Sequence, residues 1–369
     1  PIGLLNRKGT LGSYYSVQDY TAVNPEFGTL EDFKSVVKQA HDLGMHVIID
    51  WVANHTSWDN VWTKTHPDFF SKDRNGKFFP PVADWADVID LNYENKVLWN
   101  YMRDAMKFWI EECGIDGFRC DVAEMVPLEF WKWVRPQLDA IKPSCMLAEG
   151  ILPELHQAFD MTYNWQLKDL FVNCAKGNKS ANDFYEYFKK EKSEYPSDSY
   201  RMVFTSNHDE NTWNGTDRER FGNAAETFAV LTCLVPGMPL VYSGQEAGLN
   251  KRLNFFEKDL INWDDNVMRN YYALLFKTKK ENKALWNGAE GGELQKLSVN
   301  DGNVFAFIRE RDNNKIISIF NLSNEKKQVT ITNSKLEGAY INLFTDSSVL
   351  LNTQYQLTLE PWGYRVFIK

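Results

Sequence analysis

Apolar residues in the first part of the chain alternate between helical spacing and short runs. From Leu30 to Leu43 they recur every three or four positions, which predicts a helix, with Thr29 suited to cap its start and Gly44 to end it. The segment that follows, Met45 to Asp50, is mostly apolar up to its final carboxylate and predicts a buried strand. The pattern therefore opens with a helix followed by a strand.

This helix–strand unit repeats along the chain. A helical stripe over residues 97–110 ends near Gly114, and Pro127 suits the first position of the next helix. The strand candidates that follow these helices and continue the series are residues 115–120, 145–148, 158–162, 202–205 and 239–242, with a further helix over 224–234. Repeated alternation of this kind predicts an α/β protein with a parallel sheet covered by helices.

Two stretches depart from the alternation. Residues 56–93 are rich in Trp, Asp, Pro and Phe and too long for a simple connection, so we interpret them as an inserted subdomain. After about residue 285 short strands follow one another with polar turns and no helix, which predicts a small β-sandwich. Its strand candidates are 304–308, 315–320, 328–332, 340–344 and 355–359. The predicted domains are an α/β domain over 1–55 and 94–284, the insertion over 56–93, and the sandwich over 285–369.

Composition and charge narrow the class of protein only a little. The formal net charge is −9 and no basic stripe is present, so a nucleic-acid partner is not expected. No apolar run is long enough to span a membrane, and no membrane partner is expected. The 5 cysteines have no paired spacing, which favours buried free thiols over a disulfide framework. The sequence contains no signal segment, and it leaves the location open, with a secreted or periplasmic one slightly favoured.

Four carboxylates occupy equivalent positions along the chain, each at or just after the C-terminal end of a strand candidate. They are Asp50, Asp121, Glu149 and Asp209. In a (β/α) barrel these strand ends share the face that holds the active site. A single such residue is often only a cap or a turn former, but four in register are harder to explain in that way. Glycoside hydrolysis requires one carboxylate to attack the anomeric carbon and another to protonate the leaving oxygen.

Arg119 stands two residues before Asp121 and so projects from the same side of the strand. A guanidinium in that position would hold the carboxylate ionised and oriented. The alternative is an ordinary structural ion pair at the end of a strand.

Taken in order, these motifs resemble the α-amylase family of glycoside hydrolases. The segments that carry the likeness are Gly12 to Asp19, Asp50 to His55, Gly117 to Asp121, Ala148 to Gly150, Phe204 to Asp209 and Pro239 to Glu246. The resemblance implies a (β/α)8 fold of the TIM-barrel type, with the insertion as domain B and the tail as domain C. It also implies roles for single residues: Asp121 as nucleophile, Glu149 as general acid/base, Asp209 as transition-state stabiliser, and Tyr15, Asp50, His55, Arg119 and His208 as substrate-binding residues.

The chain also departs from the family pattern. The family usually has a His four residues after the nucleophile, where this chain has Met125, and Glu124 stands where a Lys or a small residue is commoner. Contacts on the leaving-group side are therefore expected to differ. Asn54 and Asp90 match the positions of the family's calcium ligands, so Ca²⁺ is a candidate cofactor, while the alternative is that both only stabilise loops.

The family's strand order sets a further expectation. By that order Pro1 falls just after the second barrel strand, so six of the eight strands are located and the barrel is expected to be incomplete at its N-terminus. Open sheet edges are templates for pairing. Three interpretations account for the two barrel strands that are not located: a homodimer through the open side, a second fragment that fills the gap, and a longer parent protein. The homodimer is preferred.

The loops and domain B are expected to determine endo or exo action, the preferred chain length and the tolerance of branches, and the motifs do not predict these. The leading functional hypothesis is retaining hydrolysis of α-1,4-glucosidic bonds in starch or maltooligosaccharides, without an organic cofactor. Transfer of the glycosyl group to a sugar hydroxyl is an alternative that the sequence barely discriminates. A glucan-binding or assembly protein with impaired catalysis is an alternative of a different class, which the missing strands suggest.

Overall fold

The computed structural model describes residues 1–264 and 268–369. The chain forms two compact units, of which the first contains Pro1–Tyr163 and Asn254–Asp259, and the second contains Asn164–Leu253 and the described residues of Leu260–Lys369. The short segment 254–259 thus belongs to the first unit although its flanking residues belong to the second. None of the helices in the described part has both the length and the apolarity of a membrane span.

The first unit alternates helices with short strands. Its helices are α1 (Leu30–Asp42), α2 (Trp62–Thr65), α3 (Lys96–Cys113) and α4 (Leu128–Asp139), and its strands are β1 (Ile48–Trp51), β2 (His55–Ser57), β3 (Val88–Asp90), β4 (Gly117–Cys120), β5 (Cys145–Ala148) and β6 (Met161–Tyr163). Strands β1, β4, β5 and β6 lie side by side in parallel. Strands β2 and β3 form a separate antiparallel pair near the two ends of the predicted insertion, and β2 begins one residue before it. Parallel order brings the C-terminal ends of four strands to one edge.

The helices of the first unit begin and end at the predicted residues or within one or two residues of them. Thr29 caps α1 in a capping box, in which the Asp32 N–H donates to Thr29 Oγ1 at 3.2 Å and the Thr29 N–H donates to Asp32 Oδ2 at 2.8 Å. Gly114 ends α3 with φ 71°, a left-handed conformation that carries no Cβ penalty for glycine. Pro127 lies at the N-cap of α4, one residue before the predicted position.

The strand bounds differ from the predicted ones by a few residues. The strand predicted at 45–50 begins only at Ile48, where Gly117 is its first ladder partner. The start of the strand predicted at 158–162 was wrong, because Ala158 closes a 3₁₀ turn that begins at Pro153. A run of apolar residues indicates burial, but a strand also needs a neighbouring strand that pairs with it in register. The local sequence pattern does not show where that neighbour begins.

The second unit contains both parallel and antiparallel strands. Its helices are α5 (Trp165–Ala175), α6 (Ala181–Glu194), α7 (Asp217–Phe221), α8 (Ala225–Leu234) and α9 (Arg269–Glu281), and its strands are β7 (Tyr200–Val203), β8 (Met238–Pro239), β9 (Gln295–Lys296), β10 (Ser298–Val299), β11 (Val304–Arg311), β12 (Asn314–Asn321), β13 (Lys327–Thr332), β14 (Gly338–Asn342), β15 (Ser348–Leu351), β16 (Gln354–Leu359) and β17 (Tyr364–Ile368). Strands β7 and β8 pair in parallel. The described part of the chain therefore has the six strands of the predicted series.

The tail forms the predicted β-sandwich. One sheet has the order β10-β13-β16 and the other the order β15-β14-β17-β12-β11-β9. Alternate side chains of β11, among them Val304, Ala306 and Ile308, are fully buried in the core that also contains Val329 and Leu359 of the smaller sheet. All five predicted tail strands are confirmed, and the prediction missed β9, β10, β15 and β17, which are five residues long at most.

Four of the five cysteines are buried, whereas Cys145 is exposed. The prediction of buried thiols was wrong for this residue because it is the first residue of β5, where the strand enters the sheet from the surface. All five thiols are free.

Strand β1 lies at the outer end of the first unit's parallel sheet, paired only with β4 among the described residues. Several large apolar side chains near it are exposed. They are Val36, Leu43, Met45 and Ile48. Whether a second copy of the chain covers this face stays a prediction, which light scattering would test.

Candidate active site

Arg119, on β4, lies at the centre of a group of acidic side chains. Its Nη1 atom donates to Asp121 Oδ1 at 2.8 Å and to Asp50 Oδ1 at 2.9 Å. Its Nη2 atom lies 2.9 Å from Glu149 Oε2 as an ion pair, but its N–H groups do not point at that oxygen in hydrogen-bonding geometry. Arg119 is only 6% exposed, so one buried guanidinium compensates three carboxylates.

Backbone pairing places these side chains together. Asp50 stands opposite Arg119 in the β1–β4 ladder. The N–H of Asp121 donates to Trp51 O at 3.0 Å, and the N–H of Glu149 donates to Cys120 O at 2.9 Å. Each ladder therefore continues one residue past its strand, and the two carboxylates emerge at the same edge of the sheet.

Two tyrosines complete the surroundings of the guanidinium. Arg119 Nε donates to the Tyr163 hydroxyl at 3.0 Å, and the Tyr15 hydroxyl donates to Asp50 Oδ2 at 2.9 Å. Burial raises the pKa of both phenols, so both stay protonated at neutral pH. Tyr15 was predicted from the sequence, whereas Tyr163 was missed because the predicted strand ended one residue before it.

His55 reaches the same group from the start of β2. Its Nε2 atom is 3.9 Å from Asp121 Oδ2, and Asn54 Nδ2 lies 3.2 Å from its Nδ1 atom. Burial lowers the pKa of His55 to about 3, so the imidazole is neutral. Because an amide nitrogen donates, Nδ1 accepts, and the ring proton is on Nε2, the atom that faces Asp121.

The charges of this group do not balance. Burial raises the pKa of Asp121 well above its ordinary value, Arg119 opposes this, and Glu149 and Asp50 raise it further. The Asp121 carboxyl therefore holds a proton more strongly than an exposed aspartate would, and its contact with Arg119 is what opposes this.

The chain turns sharply after Asp121. Val122 has φ 37° and ψ 48°, a left-handed conformation that β-branched residues rarely adopt. In this conformation its N–H donates to Glu149 Oε2 at 2.9 Å, and the next N–H, of Ala123, donates to Glu149 O at 3.0 Å. Strain of this kind costs about 1–3 kcal/mol and persists where the surroundings enforce it. Here it ties the segment after Asp121 to Glu149, a link that the sequence pattern did not reveal.

Glu124, a departure from the family pattern, has a structural contact of its own. Its carboxylate accepts hydrogen bonds from the N–H groups of Ile151 and of Leu152, the latter at 3.0 Å. It thereby holds the loop that follows Glu149. Met125, the other departure, is 45% exposed and lies beside the cleft that contains Asn54 and Asp90.

Aromatic rings extend outward from Tyr15. Phe255 lies 6.2 Å from Tyr15 between ring centroids, nearly parallel at 21°, and Tyr14 lies 4.8 Å from Phe255. Phe255 belongs to the segment 254–259, which is held to the first unit by the Leu11 N–H donating to Phe256 O at 3.0 Å. Sequence analysis missed Phe255 because it is more than 200 residues from Tyr15.

Asp209 and His208 lie in the second unit. They precede a π-helical turn over Glu210–Asn214, and His208 Nε2 is 3.4 Å from Asp209 Oδ2. The turn is anchored by Glu210, which accepts from Lys168 Nζ at 3.0 Å and from Arg220 Nη1 at 3.1 Å, all three being buried. π-Helical turns are rare and frequently occur at functional sites.

The predicted calcium ligands Asn54 and Asp90 line one cleft of about 650 Å³ in the first unit. Calcium takes six to eight oxygen ligands, of which these side chains would supply one carboxylate and one amide. Lys72 and Lys96 line the same cleft, and the described residues contain no group of three or more His, Cys, Asp or Glu that would hold a metal ion. The side chains therefore do not fit a complete calcium site.

Two carboxylates joined by a buried guanidinium at the C-terminal edge of a parallel sheet form the arrangement expected of a glycosidase of the barrel class. The chain belongs to the α-amylase family of glycoside hydrolases. The family model described as alpha amylase, catalytic domain, matches residues 10–87 and 72–292, and the one described as maltogenic amylase, C-terminal domain, matches residues 294–366.

Solved and curated relatives agree with this assignment. A maltogenic α-amylase from Thermotoga neapolitana has 31% identity and a TM-score of 0.89, covering 100% of this chain and 88% of its own. "Alpha-amylase 3" of Dictyoglomus thermophilum is 24% identical over 91% of this chain and 82% of its own length. An α-1,4-glucan:maltose-1-phosphate maltosyltransferase of Picrophilus torridus is 27% identical over 89% of this chain, which spans 55% of that relative. The predicted TIM-barrel fold class is thereby confirmed.

Proposed function

We propose that the protein hydrolyses α-1,4-glucosidic bonds in starch or maltooligosaccharides with retention of configuration. The observation that carries this proposal is the contact of Asp121 and Glu149 with the two Nη atoms of one guanidinium. This arrangement is compatible with the separation of about 5–5.5 Å between carboxyl groups that retaining glycosidases have. An attacking carboxylate and a proton donor would then flank the same bond.

In the first step Glu149 donates its proton to the glycosidic oxygen while Asp121 attacks the anomeric carbon. The bond between that carbon and the leaving oxygen breaks, and an ester to Asp121 forms. Arg119 makes a hydrogen bond of 2.8 Å to Asp121 and thereby opposes the rise that burial causes in the pKa of Asp121, which favours the ionised nucleophile. The Nε2–H of His55 faces Asp121 and favours the same ionised state.

In the second step Glu149 takes a proton from water, and the resulting hydroxide displaces Asp121 from the anomeric carbon. The Val122 N–H holds Glu149 Oε2, so Oε1 is the oxygen that exchanges the proton in both steps. Asp209 acts as the transition-state stabiliser, and Tyr15 and His208 bind the sugar, which are the roles that their motif positions imply.

The anomer formed first from maltotriose, followed by NMR, tests retention. The α-anomer is expected, and initial formation of the β-anomer would refute the proposal. Azide separates the two roles on an aryl α-maltoside, whose phenolate leaves without a proton from Glu149: with Glu149→Ala it should restore turnover and give the α-glycosyl azide, and with Asp121→Ala it should give the β-azide. Glu129→Gln, a change on the exposed first turn of α4, is the matched control and should keep full activity.

Transfer to a sugar acceptor is the second candidate, favoured by the likeness to a maltosyltransferase. Water and an acceptor hydroxyl compete for the same covalent intermediate. Products longer than the substrate, measured by chromatography at high maltotriose concentration, would establish transfer. Binding of glucan with no turnover in the wild type would favour the glucan-binding alternative.

Calcium binding in the Asn54–Asp90 cleft stays a proposal without a part in these steps. If Ca²⁺ binds there, added calcium raises the midpoint of thermal unfolding and Asp90→Asn abolishes that rise. An unchanged midpoint in calcium and in chelator would reject it.

A further inference from the structure

The second unit contains a cavity of about 650 Å³ that takes no part in the proposed mechanism. Residues of α6, of the turns after α9 and of β11 line it. Sites for small molecules usually measure about 300–1,000 Å³, so the cavity suits a ligand of one or two sugar rings.

The lining of this cavity is strongly basic. Its basic residues are Lys189, Lys192, Arg201, Lys296, Arg309 and Arg311, against two acidic residues, Glu191 and Glu293. Six positive and two negative side chains leave an excess of four positive charges. The whole chain has a net charge of −9, so the cavity has the opposite sign to its protein.

The two acidic residues are already engaged. Glu191 lies 3.2 Å from Arg201 Nε, and Glu293 lies 2.8 Å from Lys192 Nζ. Within the described part of the chain, the remaining four cations of the lining have no carboxylate within 4 Å. They are Lys189, Lys296, Arg309 and Arg311. A concave site with uncompensated positive charge selects for an anion.

The most buried of these cations is Arg309, which is 1% exposed. Its three nitrogens donate to the carbonyls of Gly292, Leu234 and Trp286 at 2.8–3.0 Å. Near it Lys279, also buried, donates to Leu285 O at 2.6 Å. Burial and the neighbouring Arg309 lower the pKa of Lys279 to about 7. Carbonyl dipoles solvate these cations but do not neutralise them, so an anion in the cavity would stabilise the pair.

An aromatic surface adjoins the charges. The Trp286 indole N–H donates to Lys280 O at 3.1 Å, which fixes the ring, and the residue is 37% exposed. Tyr185, Phe188 and Tyr195 line the same cavity. A fixed aromatic ring can stack against the C–H face of a sugar ring. An oxyanion without a sugar would not need such a surface.

We propose that this cavity is a second ligand site that binds a phosphorylated sugar. The exposed cations Lys189, Lys296 and Arg311 hold the phosphate, and the Trp286 indole holds the sugar ring. Arg309 adds positive charge behind them, because its own N–H groups are bound to backbone carbonyls. The site is separate from the proposed hydrolytic chemistry and does not depend on it.

Isothermal titration calorimetry of the full chain with glucose 6-phosphate, glucose and inorganic phosphate tests the proposal. Glucose 6-phosphate is expected to bind at least tenfold more tightly than either of the other two, and more weakly in high salt. Equal affinity for inorganic phosphate would overturn the sugar part of the proposal, and no binding of either anion would overturn the site itself.

Charge reversal locates the site. Lys189→Glu combined with Arg311→Glu should weaken glucose 6-phosphate binding at least tenfold. Lys190→Glu, next to Lys189 on α6 but outside the lining, is the matched control and should change affinity less than twofold. Equal weakening in the control would show nonspecific attraction and overturn the proposal. Starch hydrolysis should be unchanged in all these variants, so a failure here is distinct from a failure of the proposed function.

Discussion

Arg119 and Arg309 are both buried guanidinium groups, yet their surroundings differ completely. Around Arg119 are three carboxylates and two tyrosines, and around Arg309 are three backbone carbonyls. Burial alone would lower both pKa values. The carboxylates reverse this for Arg119, whose pKa is raised, whereas the pKa of Arg309 is lowered to about 9.

The comparison separates two uses of a buried charge. At Arg119 three carboxylates surround one guanidinium, so the pKa of Asp121 is set by the balance between burial and the charges around it. At Arg309 the positive charge exceeds the negative, so the group fixes backbone segments and leaves a field that attracts anions. Removing each charge should therefore produce a different kind of defect.

The largest effect is expected from Arg119→Met. The three carboxylates would lose their counter-charge, and the pKa of Asp121 would rise further without Arg119, so the ionised nucleophile would be lost. We expect kcat/KM on maltotriose to fall roughly 10³-fold or more. Arg103→Met, at an exposed pair with Asp104, is the matched control. A loss below tenfold would show that Arg119 is only structural.

Arg309→Met should act on stability instead. It leaves three buried carbonyls without a donor, and we expect the free energy of unfolding in urea to fall by about 3 kcal/mol. The kcat of the folded variant, measured well below its melting temperature, should stay within twofold of the wild type. A large loss of kcat at unchanged stability would break the contrast between the two arginines.

Lys279 gives the contrast a pH dependence. Its pKa of about 7 in the folded protein lies below the ordinary value of 10.5. Between these values the unfolded chain binds a proton that the folded chain has released, so this group adds stability as pH rises from 7 towards 10.5. The free energy of unfolding of wild type minus that of Lys279→Met should increase by roughly 2 kcal/mol from pH 7 to pH 9. Lys280→Met, exposed on the same helix, should show no such trend.

The smallest effect is expected from a pair of hydroxyl deletions. Tyr163→Phe removes the acceptor of Arg119 Nε and should lower kcat/KM roughly tenfold. Tyr185→Phe removes a hydroxyl that donates to Ala306 O beside the basic cavity and should leave kcat/KM unchanged. Equal losses of activity in the two variants would contradict the conclusion that the surroundings of Arg119 take part in catalysis and the basic cavity does not.

Much of this arrangement was predictable from local pattern. Helical spacing located α1, α3 and α8, and caps such as Thr29 and Gly114 gave their ends within a residue or two. The strand-end position of Asp121 and Glu149 followed from the rule that parallel strands share an edge. These features depend on neighbours in sequence, and the pattern contains them.

The contacts that give those carboxylates their environment were not predictable. Tyr163, Phe255 and the Val122 N–H reach the group from different strands and loops, and Glu124 appeared only as a departure from the family pattern. Which of them meet depends on ladder register and on a segment more than 100 residues away, Asn254–Asp259, that joins the first unit.

Periodicity, strand ends and short motifs are local properties of the chain, so the sequence was enough to predict the class of fold, the family and the candidate catalytic carboxylates. How the charges are shared depends on packing. The number of carboxylates is the same in any fold. Whether a carboxylate holds a proton depends on its burial and on its distance to each counter-charge, and both arise from packing. The same reason explains why the basic cavity, assembled from α6, β11 and the turns between, has no signature in the sequence.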